Sequence, residues 1–249
     1  MKKYGLLGYP LTHSFSKRFF TEMFEEENID ATYENFEIDS IDKFPEVVQN
    51  NPEVVGFNVT IPYKEQVIQF LDELNDSAQQ IGAVNTIKVK RSGENVYLKG
   101  FNTDTHGFET SLRPLLKDYH NKALILGTGG ASKALKYVLE KLGIDYISAS
   151  IEELHENEIR YEDIDKQMMK ERMLIINATP LGTYPKVDIC PSIPYEFITK
   201  KHLLFDLVYN PEVTQFMAKG KERGATVKNG YEMLLNQALK SYEIWNSEA

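Results

Sequence analysis

Short runs of β-branched, aromatic and aliphatic residues alternate along the chain with longer stretches in which apolar positions recur every three to four residues. A strand buries alternate side chains and a helix buries one stripe, so this alternation predicts βαβ units and an α/β fold. In the first part, strands are predicted at Lys3 to Leu7, Thr32 to Ile38 and Val54 to Val59, with helices at Ser16 to Glu27 and Ile41 to Gln49. Ala83 to Lys90 and Val96 to Phe101 flank Arg91-Ser92-Gly93-Glu94, a hairpin turn in which Gly93 accepts positive φ at no steric cost. A helix is predicted from about Asp104 to Lys117, with a domain boundary near Thr105. A second series opens with the strand Ala123 to Leu126 and continues through strands at Tyr146 to Ala149, Leu174 to Asn177, Leu203 to Leu207 and Thr226 to Lys228, with helical stretches between most of them. Tyr231 to Trp245 spaces Leu234, Leu235, Ala238, Tyr242 and Trp245 as one amphipathic helix.

Composition narrows the function classes. The 249 residues are 42% hydrophobic, enough for real cores. A net charge of −9 without a dense Lys/Arg run argues against nucleic acid and anionic membrane surfaces as partners. Cys190 is the only cysteine, which rules out an intramolecular disulfide framework or a thiolate-rich metal site and leads to the expectation of a reducing, cytoplasmic location. Met1 to Pro10 is too short and too polar for a signal or membrane-spanning segment. Histidines 13, 106, 120, 155 and 202 are scattered, and His155-Glu156 lacks the second histidine of a zinc-protease pattern, so no metal is expected. A Gly-x-Ser-x-Gly elbow is also missing.

Polar residues collect at the ends of apolar strands. Gly127-Thr128-Gly129-Gly130-Ala131, between a strand and a helical pattern, suits a pyrophosphate cradle, because glycines admit the ligand and a helix N-terminus offers N–H groups. A tight strand-to-helix turn explains the same residues nearly as well, and Ser132 stands where the usual third glycine would be. The next strand ends in Ser148-Ala149-Ser150, with neither an acid for a ribose nor an arginine for a 2′-phosphate at its tip; Glu152 and Glu153 come slightly late and the next arginine is Arg160. In Asn58-Val59-Thr60-Ile61-Pro62-Tyr63-Lys64, period 2 puts Asn58 and Thr60 on one face, and Pro62 suits the first turn of a following helix. Ser14 and Ser16 repeat that spacing, and Asn85 and Asp104 end two further polar segments. Singly, each also reads as a turn, a cap or a solvated helix start.

In order and spacing, Gly8-Tyr9-Pro10 with His13-Ser14-Phe15-Ser16, the Asn58 to Lys64 segment, Gly82-Ala83-Val84-Asn85-Thr86 and Asn102-Thr103-Asp104 resemble the shikimate dehydrogenase family. The resemblance continues through Gly127 to Gly130, Asn177-Ala178-Thr179-Pro180-Leu181-Gly182, Asp206 to Pro211 and Gly230 to Ala238, covering nearly the whole chain. It implies a substrate-binding and catalytic domain over 1–104, a Rossmann-type domain over 105–229 and a C-terminal helix over 230–249 returning to the first domain, with a cleft between the domains. The implied reaction is reversible reduction of 3-dehydroshikimate to shikimate. Lys64 and Asp104 would be the catalytic pair, and Ser14, Ser16, Asn58, Thr60, Asn85, Tyr209 and Gln237 would hold the substrate. Gly127, Thr128, Gly129, Gly130, Ala131, Ser148, Leu207 and Gly230 would line the cofactor. The cofactor expected on family grounds is NADP, with NAD left open because the family's NADP-dependent members usually carry an Asn-Arg-Thr-like strand tip that is absent here. An arginine there makes a charge-assisted contact of about 1.5–3 kcal/mol. The alternatives are an NAD-dependent quinate/shikimate dehydrogenase and, in another class, a non-catalytic ligand-binding protein. A monomer or homodimer is expected.

Overall fold

The computed structural model describes residues 1–11, 15–152 and 154–247, so Ser14, His13 and Glu153 lie outside the described residues. Its strands are β1 (Lys2–Gly8), β2 (Ala31–Glu37), β3 (Val54–Val59), β4 (Glu73–Leu74), β5 (Thr86–Ser92), β6 (Asn95–Phe101), β7 (Lys122–Leu126), β8 (Asp145–Ser150), β9 (Glu158–Arg160), β10 (Leu174–Asn177), β11 (Leu203–Asp206) and β12 (Thr226–Lys228). The α-helices are α1 (Phe15–Glu26), α2 (Phe44–Asn50), α3 (Asp76–Ile81), α4 (Asp104–Leu112), α5 (Gly130–Lys141), α6 (Lys166–Glu171), α7 (Gln215–Glu222) and α8 (Tyr231–Asn246). The chain divides into two units, one of Met1–Thr103 with Ala238–Ala249 and one of Asp104–Gln237. The long final helix α8 therefore contributes residues to both.

The first unit holds a mixed sheet in the order β2-β1-β3-β5-β6-β4. Its period-2 strands feed two separate cores. From β1, Leu7 packs with Phe44, Phe57 and Val67, whereas Tyr4 and Leu6 pack with Phe20 and Phe24 of α1 and Trp245 of α8. Trp245 lies 4.8 Å from the Tyr4 ring, nearly parallel to it, and its indole N–H donates to the Ile87 carbonyl at 3.0 Å. These contacts fix the end of α8 on the sheet. The β5–β6 hairpin turns at Gly93, at φ +62°.

The second unit is an all-parallel sheet in the order β12-β11-β10-β7-β8-β9, the doubly wound dinucleotide-binding order. Its central strands are apolar on both faces, as a sheet covered on both sides requires. Ala123, Ile125, Leu174, Ile176, Leu203 and Phe205 face α4 and α5, while Leu124, Leu126, Ile175 and Leu204 face Met169 of α6 and Phe216 of α7. The strand order reverses between β7 and β10, the place where such sheets bind ligands beyond their strand ends.

Three local expectations change. The helix expected from about Asp104 to Lys117 ends at Leu112 and passes into a 3-10 turn, Arg113–Leu115, because Pro114 cannot donate to the α ladder. The stretch Ile41 to Gln49 divides similarly, into a 3-10 turn and α2, with Pro45 in the first turn of α2. Pro62 is the third residue of a turn that Thr60 opens and the Tyr63 N–H closes on the Thr60 carbonyl at 2.9 Å, and the helix that follows is 3-10, at Gln66–Phe70. β9 was not foreseen. It pairs parallel to β8 through a connection of residues 151–157, shorter than the dozen or so residues that usually cross between parallel strands.

Candidate active site

In the first unit, the polar ends of β3, β5 and β6 meet the last turns of α8. Asn58 is buried; its Oδ1 accepts from the Tyr33 hydroxyl at 2.8 Å, and its Nδ2 donates to Ser241 Oγ at 3.0 Å and to Asn85 O and Thr86 Oγ1 at 3.3 Å each. Burial raises the pKa of the Tyr33 hydroxyl far above the ordinary tyrosine value, opposed by a hydrogen bond with Ser16, so Tyr33 stays a donor at any physiological pH. Thr86, Thr103 and Ser241 share hydroxyl contacts of 2.7 to 3.1 Å. Asn85 Oδ1 accepts from the Thr103 N–H at 2.7 Å and the Thr103 hydroxyl at 3.1 Å, which turns the amide NH2 away from that pair as the donating end. Each residue named in this network is neutral.

The structure thus brings Asn58, Asn85 and Ser16 into one hydrogen-bonded neighbourhood. Both ends of the Asn58 amide brace the strand ends, on Tyr33 and on Ser241. Thr60 follows directly on β3, half-buried, its N–H on the Leu7 carbonyl at 2.9 Å. Lys64 lies in the turn after Pro62, half-buried, and its backbone carbonyl accepts from the Val84 N–H at 2.7 Å, tying the lysine to the segment that leads to Asn85. Asp104 is the first residue of α4. Thr86, Thr103 and Ser241 were not picked out as site residues. Ser241 had a signal in the sequence: it stands four residues after Gln237 on the same helix face. Gln237 itself is buried, with its amide donating to the Leu234 carbonyl at 2.9 Å.

In the second unit, the segments after β7, β8 and β10 enclose a cavity of about 330 Å³ lined by Gly127, Thr128, Gly129, Ala149, Ser150, Ile151, Glu152, Tyr161 and Ala178 to Leu181. Gly127 sits at φ +98°, and a Cβ there would come within 2.8 Å of the Thr179 methyl, so glycine is required by both backbone and space. Gly129 caps α5 without a side-chain cap, and a Cβ on Gly129 or Gly130 would meet nothing within 4 Å. An open cradle at the N-terminus of a 12-residue helix, at the switch point of a doubly wound sheet, fits a dinucleotide pyrophosphate. Ala131 lies in the first turn of that helix.

Beneath this cavity is a buried polar floor. Asn177 at the end of β10 accepts from the Thr179 N–H at 3.1 Å and hydroxyl at 2.6 Å and donates to Asp206 Oδ1 at 2.9 Å. Asp206 at the end of β11 also accepts from the Val208 N–H at 3.0 Å and the Thr214 hydroxyl at 2.6 Å. Burial pushes the Asp206 carboxyl up to about 6 against the lowering effect of these three donors. Leu207, its N–H on the Asn177 carbonyl at 2.9 Å, packs backbone to backbone with Gly230, where any Cβ would strike the Leu207 carbonyl. Tyr209 follows in the loop, 41% exposed. Ser148 is buried within β8, whereas Ser150 at the strand end lines the cavity and touches Thr128 Oγ1 at 3.3 Å. Among the described residues, no group of His, Cys, Asp and Glu is placed to hold a metal, and no helix is long and apolar enough to cross a membrane.

Comparison with known proteins agrees with this geometry. Residues 6–87 match the model of the shikimate dehydrogenase substrate binding domain. The shikimate dehydrogenase (NADP(+)) of Clostridium beijerinckii is 37% identical, covering 98% of this chain and 92% of that protein. Among solved structures, shikimate dehydrogenase 1 of Peptoclostridium difficile superposes with a TM-score of 0.82 at 38% identity, over 98% of this chain and 91% of that one. Shikimate 5-dehydrogenase of Listeria monocytogenes, in complex with shikimate and NAD, gives a TM-score of 0.87 at 26% identity over 98% and 91%. With polar strand ends in one unit, a dinucleotide cradle in the other and relatives aligned along nearly their whole length, the chain belongs to the shikimate dehydrogenase family.

Proposed function

We propose that this chain is an NADP-dependent shikimate dehydrogenase that reversibly reduces 3-dehydroshikimate to shikimate, the ketone gaining a hydride at carbon and a proton at oxygen. The observation that carries this reading is the 37% identity to an NADP-dependent shikimate dehydrogenase across nearly all of both chains. The nicotinamide, when bound, supplies or receives the hydride.

Lys64 provides the cation and proton donor that a developing alkoxide needs, and Asp104 is the second residue of the proposed catalytic pair. In the reverse direction Lys64 accepts the hydroxyl proton, which requires its environment to adjust its proton affinity. Ser14, Ser16, Asn58, Thr60, Asn85, Tyr209 and Gln237 are the residues for the substrate's carboxylate and hydroxyls, and Asn58 also braces the strand ends through Asn85 and Ser241. Gly127 to Ala131 hold the pyrophosphate, with Leu207 and Gly230 toward the nicotinamide. Residues 1–104 serve as the substrate domain and 105–229 as the cofactor domain. A cytoplasmic enzyme, monomeric or homodimeric, completes the proposal.

A second reading, an NAD-dependent quinate/shikimate dehydrogenase, is favoured by one observation: Ser148 to Glu152 contains no cation for a 2′-phosphate. Catalytic efficiencies with shikimate and quinate, each with NADP+ and NAD+, decide between them. The proposal expects shikimate with NADP+ to be the best pair; a higher efficiency with NAD+ moves the assignment to the second reading, and no turnover with any pair overturns both.

A further inference from the structure

The 2′-phosphate that distinguishes NADP from NAD is a dianion, and an enzyme that selects it needs a cation beside the adenosine ribose. The tip of β8 supplies none: Ser150 is followed by Ile151, 85% exposed, and by Glu152. The short 151–157 connection changes what stands next to that tip. It brings β9 alongside with Ser150 opposite Arg160 in the parallel register. Register partners in a sheet present their side chains on the same face, so Arg160 shares a face with Ser150, whose hydroxyl touches the glycine-loop residue Thr128. The Arg160 guanidinium reaches the cavity rim, donating from Nη1 to the backbone carbonyl of Glu152, a lining residue. Tyr161, the next residue, lines the same cavity.

We propose that Arg160, delivered from β9 by the short β8–β9 crossover, reads the cofactor's 2′-phosphate in place of a strand-tip arginine. The proposal rests on the NADP reading given above. The bond to the Glu152 carbonyl takes one of five guanidinium N–H donors and sets the plane of the fork, which suits bidentate capture of a phosphate. The residue is held at its backbone too, its N–H bonding Asp163 Oδ2 at 3.0 Å, so replacing the side chain leaves that anchor in place. Lys136 of α5 lies on the same side of the unit but is matched by Glu158 at 3.4 Å. The Glu152 carboxylate opposes a phosphate at this rim, which makes a fixed cation the more necessary.

The test is dissociation constants of the purified chain for NADPH and NADH, and for 2′,5′-ADP against AMP, in wild type, Arg160→Gln and Arg160→Lys. The wild type should prefer the phosphorylated member of each pair. R160Q should weaken NADPH and 2′,5′-ADP by about 10- to 100-fold, the worth of a charge-assisted contact, with NADH and AMP changed less than about twofold. R160K, which keeps the charge but loses the fork, should fall between. Retained NADH affinity reports a folded site. A wild type that prefers NADPH with R160Q keeping that preference overturns the role of Arg160 and leaves the NADP reading intact. A wild type without any preference overturns both, and the NAD-dependent reading takes their place.

Discussion

The two polar regions of this molecule are built from different materials. At the strand ends of the first unit, recognition groups are side chains, cross-braced by Asn58, Asn85, Thr86, Thr103 and Ser241, all neutral and buried. At the strand ends of the second unit, the groups offered to a ligand are mostly backbone, exposed by Gly127, Gly129 and Gly130 and supported by one buried carboxylate, Asp206. A side-chain site specifies many residues at once. A backbone site specifies only where glycine must stand, and leaves the remaining positions open to exchange between strands.

Removing chemistry from the first region should have the largest effect. Lys64→Ala is expected to lower kcat by about 10²- to 10⁴-fold while shikimate affinity changes by less than about tenfold, because its contact strengthens as the alkoxide forms. Single-turnover rates with a direct binding measurement check this; equal losses in both would deny Lys64 its role.

Next in size is the bracing itself. Asn58→Leu removes the acceptor of the buried Tyr33 hydroxyl and one donor to Ser241, which keeps Thr86 and Thr103, so urea unfolding should show a loss of about 2 kcal/mol, with NADPH affinity unchanged. An unaltered unfolding midpoint would mean that the network does not hold the strand ends.

The single carboxylate makes the second unit sensitive to pH in a way the neutral network is not. With its pKa raised in the folded state to about 6, the native chain holds the Asp206 proton more tightly than the unfolded chain does. Stability from this group is therefore full below the unfolded value and declines as pH rises toward 6, by up to about 3 kcal/mol. Asp206→Asn keeps an acceptor for Asn177 and Val208, and Thr214 can turn to accept; its stability relative to wild type should climb between pH 4 and 6.5. The buried His120 and His202 have depressed values and pull the other way, their contribution full above the ordinary histidine value and lost as pH falls. The wild-type-minus-variant difference cancels them; a flat difference would remove Asp206 from the account.

The smallest effect sharpens the contrast most. Gly129→Ala meets no neighbour, so unfolding free energy should move by no more than about 0.5 kcal/mol while NADPH and NADH weaken together by about tenfold. Unchanged affinity for both would place the pyrophosphate elsewhere.

The same contrast explains what was legible in the sequence. Strands with strict alternation or continuous apolar runs were read closely, Val54 to Val59 and Leu174 to Asn177 to the residue. Helix ends failed at prolines: Pro114 falls in the 3-10 turn that ends α4, for want of one N–H, and Pro45 marks the start of α2 after a separate 3-10 turn. The glycine loop was visible because positive φ and close approach leave a residue signature. Arg160 was noted only as the next arginine along the chain, since strand register, not sequence distance, puts it beside Ser150. Ser148 and Ser150 looked equivalent for the same reason, and only the depth of β8 in the sheet separates the buried hydroxyl from the lining one.

Membership of the shikimate dehydrogenase family makes hydride transfer between shikimate and NADP+ the activity to measure first. The most direct measurement is reduced-nicotinamide absorbance on mixing the purified chain with shikimate and NADP+, with NAD+ in parallel. The account predicts a shikimate-dependent rise that is faster with NADP+ and lost in Lys64→Ala; silence with both cofactors from a folded sample would contradict it.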